Sequence, residues 1–506
     1  MPEGQPAPQS TEAPPRPPKW RVPLLLIVLC SVVFALFWVS GRVKRPGRWA
    51  SVCFNAMMAH RFDQALEALE RYRELAREDI PASVEDELFQ LRNNPDYPLG
   101  SERANAYFMA RTIFLCVASG HAMARAEDEP GAAVAALRYV FRNVQSGGGP
   151  PKAQRFHVGP AHALYRGYGG PVHSAWAMAE LLRHRRGLNA CVVQIPAADK
   201  DAEPYYLCGS VIHGKMYLFD PYRAVAICRG HGTRVADVAG LLSGRHKLAP
   251  RFGGPGTPVT LDGLRKATYW IPASVATVTA DAYLIQQIFE QSERKTDLVY
   301  RSFRRDLEHV AAAVYGHGTE VRDSFIRTSV DGRSDAVALW PVPFKVDQMR
   351  SSEEYAGWLG EVHRAVIIYW GPREDQLLGQ HEAALTRYEE ILAKHADDPE
   401  VAGDVSFFRA CSGLRMAERS DLLRAYLREH PNGRWRPLAT LRLAELEVWQ
   451  EHKAAALELV AQMKAPYDLY AALLAKALEQ GERNVRWVFP EPEDAKGKED
   501  ASAGEE

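Results

Sequence analysis

Three groups of side chains in this chain of 506 residues could do covalent chemistry. The first is thiol. Cys191 lies in Cys191-Val192-Val193-Gln194-Ile195 and Cys208 in a second apolar, β-like run, where a cysteine reads as a small buried hydrophobe. The second is a hydroxyl, a base and an acid. Ser174 follows His173, His213 precedes Gly214-Lys215, and Asp220 precedes Pro221. Serine, histidine and aspartate are the parts of a nucleophile, its base and the group that orients the base, so Ser174–His213–Asp220 is one candidate set. Against it, His213-Gly214-Lys215 reads as a solvent-facing turn. The third is His157 with His162, five residues apart with Pro160 between them, which is poor helix geometry for two metal ligands. No metal and no cofactor are expected.

The elements that must position these groups run from Tyr165 to Pro221. Gly169-Gly170-Pro171 makes a turn, and Val172 to Arg183 follows with the pattern of a buried helix. Gly187 to Ile195 reads as a strand. Tyr205 to Ile212 and Met216 to Asp220 read as a hairpin about His213-Gly214-Lys215.

This stretch resembles the core of the transglutaminase-like superfamily of papain-type folds. There a Gly-x-Cys turn opens a helix that ends Leu-Leu-Arg, as Leu181-Leu182-Arg183 does here. A His-bearing strand and an Asp-Pro strand end complete a Cys-His-Asp triad. The resemblance implies an α+β fold and places the three triad positions at Pro171, Tyr205 and Asp220. Only Asp220 keeps the residue type. A thiolate at a helix N-terminus is stabilised by the helix dipole and a neighbouring imidazolium, and the imidazole then protonates the leaving amine. Proline offers neither nucleophile nor donor, yet it suits the first position of a helix, because its missing N–H is unneeded there. Pro171 therefore keeps the architecture and removes this mechanism.

Composition sets further bounds. The formal net charge is −1, and no Lys/Arg block with interleaved aromatics and no glycine-rich phosphate loop is present, so nucleic acid is not an expected partner. Seven cysteines, scattered and odd in number, do not form a disulfide framework, although Cys191, Cys208 and Cys228 leave room for one bridge.

Residues 1–21 form a Pro-rich tail with the composition of a disordered segment. Residues 22–40 carry no charge and are flanked by Trp20 and Trp38, which predicts a single membrane-spanning helix. Arg42, Lys44, Arg45 and Arg48 outnumber Arg16, Lys19 and Arg21, a slight push toward a cytoplasmic C-terminal side. Anchored bacterial proteins that carry such domains more often look exported, and the reading leans to the extracytoplasmic face. Residues 41–99 read as a helical juxtamembrane segment, with Leu69 and Tyr72 on its apolar stripe, and 100–228 as the transglutaminase-like core. Residues 229–350 read as an accessory α/β region that either continues the core's sheet or forms a small second one. Thr268–Ile271, Val275–Thr279, Val337–Leu339 and Phe344–Val346 are its candidate strands, and Asp281–Glu293 a candidate helix.

Residues 351–490 are helical throughout. Gln380 to Leu392, followed by Asp398-Pro399, resembles the second helix of a tetratricopeptide repeat, and a further copy begins at Glu451. His381 and His452 are 71 residues apart, about two repeats of roughly 34. Such solenoids usually hold a protein or peptide partner on a concave face. Residues 491–506 form an acidic tail.

Three functions are compatible with these features. One is a membrane-anchored interaction or scaffolding protein with a non-catalytic transglutaminase-like domain. Another is a cysteine-type transglutaminase- or peptidase-like enzyme with a displaced nucleophile. The last is a purely structural assembly subunit in which the core only spaces the repeats from the membrane.

Overall fold

A computed structural model of the chain describes residues 102–147, 159–185, 188–197, 203–230, 232–252, 259–273, 280–291, 302–315, 327–330, 333–341 and 364–490, with parts of 49–82. The span expected at 22–40, the two tails and the candidate strands Val275–Thr279 and Phe344–Val346 lie outside the described residues. No described helix is long and apolar enough to cross a membrane.

The described chain is mixed α+β. It begins with helices α1 (Phe62–Ala76), α2 (Glu102–Ala122) and α3 (Glu129–Asn143). Leu69 and Tyr72 of α1 are buried, as their place on the apolar stripe predicts. Helix α3 starts at Glu129 because the Asp128 carboxylate accepts the Gly131 N–H at 2.7 Å and Pro130 needs no N–H partner in the first turn. Strand β1 (Gln145–Ser146) pairs in parallel with β2 (Tyr168–Gly169), and α4 (Pro160–Arg166) lies between them.

Gly170 then caps α5 (Pro171–Arg183), with Pro171 at its first position as the spacing predicts. Ala175, Ala177 and Ala179 are fully buried, and these small side chains let the helix approach β-structure closely. Trp176, Met178, Leu181 and Leu182 fill the remaining space, each stabilising the fold by about 2–3 kcal/mol through lost apolar exposure.

Helix α5 packs on a seven-stranded sheet. Its strands are β3 (Asn189–Ile195), β4 (Tyr205–Ile212), β5 (Lys215–Asp220), β6 (Val225–Ala226), β7 (Thr268–Ile271), β8 (Arg327–Val330) and β9 (Arg333–Leu339), in the order β6-β5-β4-β3-β7-β9-β8. Only β7 and β9 pair in parallel. Two short helices, α6 (Val238–Leu242) and α7 (Leu261–Arg265), precede β7. Two longer ones, α8 (Ala280–Gln291) and α9 (Phe303–Tyr315), lie in the crossover to β9. The boundary expected at 228/229 therefore falls inside one sheet. Of the two arrangements open at sequence level, the continued sheet is the one formed, because β7 supplies the backbone partners for the second edge of β3. Helix α9 covers β3, β5, β7 and β9, and its buried Asp306 accepts from the buried Arg183 guanidinium of α5 at 2.8 Å.

Seven helices follow: α10 (Arg364–Leu377), α11 (His381–Lys394), α12 (Pro399–Ser412), α13 (Met416–Glu429), α14 (Arg436–Trp449), α15 (Lys453–Ala461) and α16 (Asp468–Glu479). Each packs on the next. The starts of α11, α13 and α15 are 35 and 37 residues apart. Asp398 caps α12 by accepting the Glu400 and Val401 N–H groups, so the Asp-Pro pair ends one helical hairpin and starts the next. Ala384 and Tyr388 of α11 are fully buried.

The even-numbered helices of this array hold the core. Arg373 of α10 donates to the Asn143 and Leu164 carbonyls, and Tyr139 donates to the Leu377 carbonyl at 2.8 Å. Arg142 pairs with Glu445 of α14 at 3.0 Å, and Phe141 packs on Tyr470 of α16. At the centre Gly167 sits against Phe408 and Trp435 with φ +78. A Cβ there would meet the tryptophan ring at 2.8 Å and the phenylalanine ring at 2.9 Å. Both the conformation and the space require glycine. Gly167→Ala should lower the unfolding free energy by about 2–4 kcal/mol in urea titrations. A change below about 0.5 kcal/mol would mean that this contact does not hold the two parts together.

Candidate functional site

The hairpin register decides which candidate residues meet. Ile212 pairs with Lys215, so the two-residue turn is His213-Gly214, with φ of 48° and 73°. Two successive positive φ values are the signature of the turn that matches strand twist, and glycine at the second position fits it. His213 is exposed there, and its N–H donates to Glu129 at 2.7 Å. Asp220 lies at the other end of β5, five residues beyond Lys215 and roughly 16 Å along the strand. The Ser174–His213–Asp220 set is therefore not assembled. Ser174 is fully buried in the first turn of α5, and the neighbouring His173 Nδ1 accepts the Gly170 N–H at 3.2 Å. His173 acts as a cap for the helix.

The same register brings Tyr205 and Asp220 together. Phe219 lies opposite Cys208, so Asp220 lies opposite Leu207 and diagonal to Tyr205 on one face of the sheet. The Tyr205 hydroxyl donates to Asp220 Oδ2 at 2.7 Å, and the Arg223 N–H donates to Oδ1 at 3.0 Å. The Arg223 guanidinium lies 5.8 Å from the Tyr205 ring centre. Asp220 thus closes the turn after β5 and anchors a tyrosine. Pro171 is half-buried and opens the helix that packs on β4 and β5. Of Pro171, Tyr205 and Asp220, the last two are joined by a hydrogen bond and the first starts the helix that packs on their strands.

Burial dominates the electrostatics. It pushes the Asp220 carboxyl up to about 6, although the hydrogen bonds from Tyr205 and Arg223 pull it down. Burial, with Asp220 beside it, pushes the Tyr205 hydroxyl far above its ordinary value. The thiols behave alike. Cys228 is pushed up to about 11, Cys53 up to about 12, and Cys191 and Cys208 well above the ordinary thiol range, all first by burial. All four are free thiols in buried positions. Cys191 pairs with Gly209 and Cys208 with Val192, so the two side chains leave opposite faces of the sheet, which rules out the bridge between them. None of these thiols is a thiolate at neutral pH.

The histidine candidates separate. His162 is buried on α4 with its ring 5.6 Å from that of Trp370, and His157 lies outside the described residues. No group of three His, Cys, Asp or Glu among the described residues could hold a metal ion. One acid–histidine pair was not visible in sequence. Asp237 Oδ2 lies 2.9 Å from His246 Nε2, while Asp237 Oδ1 accepts the Gly240 N–H at the start of α6. The pair ties a short helix to the loop after it, and no periodic signal marks such a contact.

A carboxyl whose folded pKa exceeds its unfolded value costs stability as pH rises between the two. The unfolded chain releases the Asp220 proton near pH 3.8 and the folded chain near pH 6, and the cost is constant above that. Asp220→Asn keeps an acceptor for Arg223 N–H and a donor for the Tyr205 oxygen. Its stability relative to wild type should rise by on the order of 2–3 kcal/mol between pH 4 and pH 7 in denaturant titrations. Tyr205→Phe leaves a buried carboxyl oxygen without its donor and should cost about 1–3 kcal/mol. Equal pH profiles for wild type and Asp220→Asn would contradict the placement of Asp220.

No protein-family model matches the chain, and no curated protein and no solved structure matches it, so its function has to be read from these residues.

Proposed function

We propose that the chain is a membrane-anchored interaction or scaffolding protein. Its α+β core is a transglutaminase-like domain without catalytic machinery, its C-terminal helices are tetratricopeptide-like repeats, and residues 22–40 tether it to the bilayer. The observation that carries the reading is the 2.7 Å bond from Tyr205 to Asp220. In an active member an imidazole would receive that carboxylate's support, and a phenol with a strongly raised pKa cannot replace it as a base near neutral pH. Pro171 supplies no nucleophile, and the raised thiols of Cys191, Cys208 and Cys228 supply none either.

The docking of the core on α10, α12, α14 and α16 bears on where a partner binds. That face is occupied by the chain's own α3 and α4 and the strands after them. The outward residues of α11, α13 and α15 are largely exposed, and a protein or peptide partner fits there. Leu414 and Met416, both more than half exposed beside the start of α13, offer it an apolar foothold.

Restoring the thiol alone should not restore catalysis. Pro171→Cys places a thiol at a helix N-terminus, where the dipole lowers its pKa, so it should react with alkylating agents. It should show no peptide-amide hydrolysis or amine transfer, because the general base, commonly worth about 10²–10⁴-fold, is still missing. Pro171→Cys with Tyr205→His is the smallest combination expected to turn over. Wild-type activity that survives Pro171→Cys but vanishes in Cys191→Ser or Cys208→Ser would overturn the non-catalytic reading.

A further inference from the structure

A cavity of about 310 Å³ opens where α3 meets the helical repeats. Five guanidinium groups line it: Arg138 and Arg142 from α3, Arg373 from α10, Arg419 from α13 and Arg442 from α14. Glu445 is the carboxylate that pairs with them among the described residues, with Arg142 at 3.0 Å and Arg442 at 3.4 Å. The other three give their hydrogen bonds to neutral groups. Arg138 donates to the Val485 carbonyl, Arg419 to the Gly413 carbonyl, and the fully buried Arg373 to two carbonyls and Gln376.

The positive charge in this space therefore exceeds the negative by several units, and its neighbours register the excess. Burial, followed by repulsion from Arg419, His121 and Arg442, pushes the His381 imidazole down to about 4. Burial and then Arg442 pull Arg419 down as well. Like charges held close in a half-buried cleft destabilise the empty site, and an oxyanion between them would relieve that repulsion. Planar guanidinium forks bind phosphate and carboxylate oxygens in pairs. The volume is that of a small-molecule site and too small for a folded partner.

We propose that this cavity binds a small organic anion carrying two or more phosphate or carboxylate groups, held between the core and the repeats by Arg138, Arg373, Arg419 and Arg442. The site is separate from the Tyr205–Asp220 position, so it holds whether or not the core is catalytic. Because the ligand would touch both α3 and the repeat helices, its binding would also strengthen their docking.

The test is calorimetric titration of the full chain with inorganic pyrophosphate and, separately, with citrate at low ionic strength. At least one should bind saturably, one per chain, with Kd below about 1 mM. Tighter binding of pyrophosphate assigns a phosphorylated ligand, and tighter binding of citrate a polycarboxylate. Arg419→Gln and Arg442→Gln should each weaken binding by about tenfold or more. Arg419 is only half-buried, so its replacement should leave the fold intact, which circular dichroism checks. Arg428→Gln, on the exposed side of α13, should change binding less than about twofold. No saturable binding of either anion would overturn the proposal, as would equal losses in the Arg428 and Arg419 variants.

Discussion

Arg373 is the group on which the arrangement of the two halves depends. Its guanidinium is buried, and it donates at once to the last residue of α3 and to the last turn of α4. Helix C-termini leave carbonyls without partners and carry partial negative charge. One cation from the repeat array answers both needs, and the Phe408 ring lies 4.3 Å from it. Burial pulls the guanidinium pKa down. The contacts around it follow from that placement. Gly167 takes its positive φ as the C-cap of α4, its missing side chain leaves room for Trp435 and Phe408, and Tyr168 then packs on Trp435.

This docking links the fold to the functional reading. Among the described residues, the inner side chains of α10, α12, α14 and α16 are covered by the chain's own core. The core is correspondingly fixed. In the described residues on either side of α4, Asn143, Ser146 and Tyr168 are held by Arg373, Tyr467 and Trp435 of the helical array. Helix α5 starts with a proline, and the Asp220 carboxyl at the end of β5 accepts from Tyr205 and Arg223.

The Tyr205–Asp220 pair ties the start of β4 to the end of β5. Burial raises the Asp220 carboxyl to about 6, still below neutral pH, and the tyrosine hydroxyl and a backbone N–H hold the group in place. A hydrogen-bonded buried acid at the end of β5 closes the turn that follows it.

Much of the local structure was legible in sequence because local rules set it. Gly169-Gly170-Pro171 starts a helix through missing side chains and a missing N–H, and Arg183 ends it. The hairpin about His213-Gly214-Lys215 and the strand Thr268–Ile271 follow from turn chemistry and periodicity, although Lys215 falls in β5 rather than in the turn. Tertiary structure decided the rest. Alternation cannot say which strand covers the free edge of β3, and β7 reaches it from more than 70 residues away. Apolar stripes on the repeat helices show that a face is buried, but not that α3 and α4 bury it. Sequence placed Pro171, Tyr205 and Asp220 on their elements. The bond between Tyr205 and Asp220, the Asp237–His246 pair and the arginine-lined cavity all depend on side chains that meet through folding, and no spacing along the chain encodes those distances.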